Sequence, residues 1–240
     1  MNKNDFLIED PDNHKEYYGG NQAWFARNTQ AHSGCGHVAA LNSFLMLTHR
    51  FPIDKATYMK YMNEMYHSMK ALETPILRRI YDMNKDVPLC TLIPPSFGQS
   101  SIRFILGMLR FAKKRGLSLK SRFRLTFLCS YKSGLRFIKR GLKENGAVTL
   151  LTARNHHPLT LYSDFTSVSS TPQPAGKEMK NHFVTITGID ERDGKVRLLI
   201  STWGRIATID YDDLVKSWHT LGALQSAMYF FSPKSVILRP

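Results

Sequence analysis

The feature that most constrains this chain is the run from Cys35 to Thr48, CGHVAALNSFLMLT, where apolar side chains occupy nearly every face of the helix it predicts. A helix apolar all round cannot lie on a surface. It has to be enclosed, so the rest of the chain must supply packing partners on several sides. The 240 residues are enough for that, and 42% of them are hydrophobic. Ser33 is placed to cap this helix.

The surrounding pattern changes character near Gly146. Before it the spacing is mostly helical. After Pro52 a helix is predicted over Asp54–Lys70, with Tyr58, Met62, Met65 and Met69 on one stripe. Shorter helices are expected over Thr74–Met83, Ser101–Arg115 and Ser130–Glu144. In the second of these Ile102, Ile105, Leu106 and Leu109 should face inward. Residues 1–30 read as irregular, with a turn at Gly19–Gly20. Pro88 to Gln99 reads as a loop or linker, and Leu117–Leu128 as a strand.

From Gly146 onward the runs are short and strand-like: AVTLLT, then His182–Ile189, Lys195–Thr202, Arg205–Asp210 and Ala227–Ser232. A polar, Pro-rich stretch from Arg154 to Lys180 reads as a long surface excursion, and Asp212–Trp218 as a short helix. Helices and strands segregated along one chain predict an α+β fold. The expectation is a single domain over 1–240, mainly helical over about 30–145 and mainly β over about 146–240.

The charge is unevenly distributed. The net value is +14, yet Arg103 to Lys143 alone holds 13 lysines and arginines and no acidic residue. The other 20 basic residues nearly balance the 19 acidic ones. A cationic segment at 103–143 is suited to an acidic partner, by an attraction that salt weakens. Phe104, Phe111, Phe123, Phe127, Tyr131 and Phe137 interleave with those cations, mostly at core spacing, which argues against a nucleic-acid stacking platform.

No run reaches the roughly 18 apolar residues of a membrane span, and the opening MNKNDFLIED has no secretory pattern, so the expected compartment is the cytoplasm. Three widely spaced cysteines, Cys35, Cys90 and Cys129, fit neither a disulfide framework nor a zinc site. The adjacent His156 and His157 cannot alone close a metal site, so neither metal nor cofactor is expected.

Cys35 stands at the first turn of the enclosed helix, between Gly34 and Gly36. Unpaired backbone N–H groups there favour negative charge, which lowers a thiol pKa, and the same groups can stabilise an oxyanion. A thiol nucleophile needs a base, normally histidine. His182 opens the apolar run HFVTITGID, 147 residues after Cys35. Ser201-Thr202-Trp203-Gly204 follows one strand later, and Gln30 lies five residues before Cys35.

This ordered set resembles the papain-like cysteine peptidases. The family has a Cys at a helix start, a His some 130–150 residues on, and an orienting Asn in an Asn-Ser-Trp-Gly run. The pattern of Cys35, Gly36, Ala39, Ala40 and Asn42, with His-Phe-Val-x-x-x-Gly-Ile-Asp at His182–Asp190, is most similar to the bacterial C39-like branch. The resemblance covers roughly Gln30–Thr48 and Gly146–Trp218.

It implies a papain-like fold with the active site in a cleft between a helical and a β lobe. Cys35 would be the nucleophile and His182 the general base, acting on a peptide or other acyl or amide bond. Gln30 would complete the oxyanion hole. Ser201 falls at the orienting position, where papain has Asn and the C39-like branch commonly Asp. Either Ser201 or Thr202 would then orient the imidazole with a hydroxyl, while Trp203 shields the pair. A hydroxyl cannot stabilise imidazolium as a carboxylate does, so a catalytically weak or inactive member is the alternative, as is a binding module using 103–143.

Overall fold

In a computed structural model the described residues are 6–27, 30–31, 34–70, 101–152, 159–163, 173–179, 181–219 and 226–234. The expected helix Thr74–Met83, the loop Pro88–Gln99, Cys90, Ser33, His156 and His157 lie outside them.

The all-apolar run forms α1, Cys35–Leu47, and every residue from Gly36 to Leu45 is buried. Its first turn is preceded by Gly34, which makes no side-chain cap. A Cβ at Gly34 would lie 2.5 Å from the Phe25 ring and 2.6 Å from the Gln30 carbonyl, so only glycine admits the chain here.

Three strands gather near the chain start: β1 (Leu7–Asp10), β2 (Lys15–Tyr18) and the short β3 (Ile53–Asp54). β1 pairs antiparallel with β2 and parallel with β3. The irregular N-terminus that the sequence predicts is therefore a small sheet in part. Its four-residue strands are too short for alternation to be read.

The stripe of Tyr58, Met62, Met65 and Met69 is fully buried on α2 (Lys55–Lys70). α3 (Ser101–Lys113) turns differently from the expected face. Phe104, Met108, Phe111 and Ala112 are buried, whereas Ile102 is 62% and Leu106 45% exposed. The helix carries two apolar stripes, and the one with the larger aromatic rings takes the core. Gly107 permits this by drawing the helix against Met69.

The principal sheet has eight strands among the described residues. They are β4 (Leu119–Leu125), β5 (Val148–Thr152), β6 (Leu159–Ser163), β7 (Gln173–Met179), β8 (His182–Asp190), β9 (Arg197–Thr202), β10 (Arg205–Asp210) and β11 (Ala227–Pro233). Their spatial order is β4-β11-β5-β8-β9-β10-β6-β7, all antiparallel. The expected excursion Arg154–Lys180 thus contributes β6 and β7 to one margin of the sheet. Pro174 within β7 is tolerated because a margin strand needs fewer ladder donors.

Two cores lie on opposite faces of this sheet. α1, α2 and α3 pack with Phe183, Ala227, Tyr229 and Phe231. On the other face α4 (Tyr131–Asn145) and α5 (Tyr211–Trp218) pack with Val184, Ile186, Met228 and Phe230. Period-2 alternation along β8 and β11 sorts neighbouring side chains between the two.

The fold is α+β, with helices and an antiparallel sheet. The expected division near 145 does not separate the packing, because α4 lies across the sheet from α1–α3. The basic stretch is divided with it, and within it Arg115 pairs with Glu64, Lys139 with Glu191 and Arg140 with Glu144. No helix among the described residues is long and apolar enough to cross a membrane.

Candidate active site

Cys35 and His182 come to one cleft from different elements. Cys35 begins α1, and Val38, Ala39 and Asn42 continue its face along the helix at the 3–4 residue repeat. His182 begins β8, just after Asn181 turns the backbone through a positive φ of 45°. The His182 backbone is pinned by the Thr152 hydroxyl, which donates to its carbonyl at 3.2 Å. Cys35, Val38, Ala39, Asn42 and His182, with Gln22, Phe183, Thr185, Ser201, Thr202 and Trp203, line one cleft.

Burial pushes the Cys35 thiol above its ordinary range, against the backbone N–H groups of Phe183, Gly36 and Cys35 itself, which pull it down. The helix start was expected to lower this thiol; the enclosure of the cleft outweighs it. Burial also lowers His182 to about 4. At neutral pH the resting pair is therefore a neutral thiol and a neutral imidazole, which is the form of histidine able to accept a proton.

The imidazole is held by two contacts. Its Nε2 lies 2.8 Å from the Thr202 hydroxyl, and its ring stacks on the Trp203 indole with centroids 4.6 Å apart and planes 19° from parallel. Trp203 reaches that position through a two-residue turn, Trp203-Gly204, joining β9 to β10, in which both residues have positive φ (50° and 73°). Such a turn suits the twist of a hairpin but is costly for a bulky side chain at its first position.

Ser201 does not take the orienting place assigned to it from the sequence. Its hydroxyl donates to the Tyr18 carbonyl at 2.7 Å. β8 pairs Thr185 with Ser201, and these two face α1 together. Continuing that register puts Thr202 on the face of His182 and Val184. The strand alternation thus gives the ring to Thr202.

Gln30 is not among the residues lining the cleft, whereas Gln22 is. The Gln22 amide donates to the Ala31 carbonyl at 2.7 Å and has a second N–H to offer. Sequence spacing singled out Gln30 and gave no signal for Gln22, which stands in a short 3-10 turn, Gln22–Trp24, ordered by the Asn21 side chain.

The segment Tyr18–Gly20 closes the back of the site. Tyr18 N–H donates to the Gly204 carbonyl and Gly204 N–H to that of Gly20, each at 3.0 Å. Gly19 has φ +73°, and a Cβ there would come within 2.2 Å of the Ser201 oxygen. Among the described residues no group of three or more His, Cys, Asp or Glu is placed to hold a metal ion.

The sequence matches no protein-family model and no curated protein. Among solved structures, that of the Pseudomonas avirulence protein AvrPphB aligns with 85% of this chain and 94% of its own length. The identity is 10% and the TM-score 0.34, a likeness too loose to carry a fold or an activity from that protein to this one.

Proposed function

We propose that this chain is a cysteine peptidase, or a related thiol hydrolase or transferase of acyl and amide groups, built on a papain-like plan. The observation that carries the reading is a thiol at the first turn of a buried helix and a histidine at a strand start, lining one cleft. Cys35 attacks an acyl carbon as His182 removes its proton, and the imidazolium then protonates the leaving group. The N–H groups at the start of α1 receive the oxyanion, with the Gln22 amide in the role that sequence gave to Gln30. Thr202 orients the imidazole and Trp203 keeps water from it. The pattern of Cys35, Gly36, Ala39, Ala40 and Asn42 supports the C39-like branch, and peptides are the substrate class that goes with it.

The neutral Thr202 partner favours a second reading, a papain-like protein with weak or no catalysis, because no carboxylate stabilises the imidazolium. One experiment separates the two. Iodoacetamide at neutral pH should modify Cys35 faster than Cys90 and Cys129, and His182→Ala should slow Cys35 alone. Equal and slow modification of all three thiols, unchanged by His182→Ala, would remove the nucleophile assignment.

A further inference from the structure

Asn42 is 1% exposed, lines the cleft, and uses both ends of its amide. Its Oδ1 accepts from the Tyr58 hydroxyl at 2.7 Å and from Gly20 N–H at 3.2 Å. Its Nδ2 is within 3.4 Å of both the Thr185 and the Ser201 hydroxyl oxygens. Four partners are therefore held by one side chain, and they belong to four parts of the fold: α2, the Tyr18–Gly20 segment, β8 and β9.

Its place on α1 gives this network a direction. Asn42 follows Cys35 by seven residues, two helical turns, so the two side chains lie on one stripe about 10 Å apart along the axis. Any roll or slide of α1 that breaks the Asn42 bonds also displaces the Cys35 sulfur relative to β8, the strand that carries His182. The neighbouring Ser43 bonds Thr149 on β5 instead.

We infer that Asn42 is a positioning residue: it fixes the rotation of the Cys35 helix against the strands carrying His182 and Thr202. The inference rests on the Cys35–His182 reading above. It also accounts for Ser201, whose hydroxyl links the Asn42 amide to the Tyr18 carbonyl instead of serving the histidine.

The test compares Asn42→Leu, which keeps the γ-branched shape and removes the four bonds, with Asn42→Ala, Ser201→Ala, His182→Ala and the wild type. Iodoacetamide modification of Cys35 is followed across pH 5 to 9 in the full chain. Cys129, 2% exposed, serves as the internal gauge of folding. Asn42→Leu should slow Cys35 about tenfold at pH 7 and give the rate the steep pH dependence of an unassisted thiol, with Cys129 still protected. Ser201→Ala, losing one of the links, should slow it about threefold.

Wild-type rate and pH profile in Asn42→Leu, with Cys129 protected and His182→Ala slow, would overturn the role of Asn42 and leave the nucleophile reading standing. If His182→Ala matched the wild type, the nucleophile reading would fall and this one with it. Should both Asn42 variants expose Cys129, Ser201→Ala decides: an unchanged Cys35 profile there overturns the inference.

Discussion

The Nε2 of His182 and the hydroxyl of Thr202 lie 2.8 Å apart, so the side chain that meets the imidazole there is a neutral hydroxyl. A hydroxyl fixes the direction of the ring without adding charge. Thr202→Val, which keeps the β-branched shape, should therefore slow His182-dependent modification of Cys35 by roughly three- to tenfold, the loss of one hydrogen bond of about 1 kcal/mol. An unchanged rate in that variant would show the ring to be held by the Trp203 stack alone.

The resting protonation states have a kinetic signature. With His182 lowered to about 4 and the thiol raised, the base is already neutral from about pH 5 upward. The His182-assisted rate of Cys35 alkylation should be nearly flat between pH 5 and 7.5. An unassisted thiol would instead gain close to tenfold per pH unit over that range, and that slope in the wild type would contradict general-base assistance.

Two buried histidines make acid stability a second readout. Burial brings His37 to about 3 and His182 to about 4, from an ordinary value of 6.5. The unfolded chain takes up protons that these rings refuse when folded. Stability is therefore full above pH 6.5 and falls as the pH drops toward the folded values, by roughly 1.4 kcal/mol per unit for each histidine. His37→Phe retains a ring between Tyr66 and Phe25 and should halve the loss measured by urea unfolding between pH 6.5 and 5. An unaltered slope would mean that His37 titrates in the folded protein.

The oxyanion assignment separates Gln22 from Gln30. Hydrolysis of an activated ester such as p-nitrophenyl acetate should fall on the order of 10²-fold in Gln22→Ala, the loss of one oxyanion donor. Gln30→Ala should stay within about twofold. The reverse order of effects would return the role to Gln30.

Gly19→Ala probes the back of the site. The substitution forces a Cβ into a positive-φ backbone and onto the Ser201 oxygen. It should destabilise the fold by at least about 1–2 kcal/mol in denaturant unfolding, from the left-handed conformation alone. A variant as stable as the wild type would show that the Tyr18–Gly20 segment does not depend on this conformation.

Much of the scaffold is legible in the sequence because periodicity is strong where burial is complete. The all-apolar α1 and the methionine stripe of α2 are such places, and both occupy the core. The legible part ends where two patterns compete or elements are short. α3 has two apolar stripes, and the one with the larger aromatic rings takes the core, where Gly107 lies against Met69. β1 and β2 span four residues each, and β6 and β7 sit at a sheet margin with a proline among their paired residues.

In the site, Cys35 and His182 stand out from residue type and spacing. Which of Ser201 and Thr202 meets the imidazole depends on strand register. β8 carries an irregularity between Ile186 and Gly188, so counting along the sequence cannot supply that register. Asn42 shows in the sequence only as one position of a pattern, because its partners on β8 and β9 lie 143 and 159 residues away.

The Tyr18–Ser201 hydrogen bond joins residues 183 positions apart. During synthesis Cys35 leaves the ribosome ahead of His182, Ser201 and the Trp203 turn, which follow more than 140 residues later. At ordinary elongation speeds of about 5–20 residues per second, that interval is on the order of ten to thirty seconds. Through it the nascent polypeptide carries Cys35 without His182 and without the strands that the Tyr18–Gly20 segment grips. The cleft therefore closes around the thiol only after those distant strands have been made.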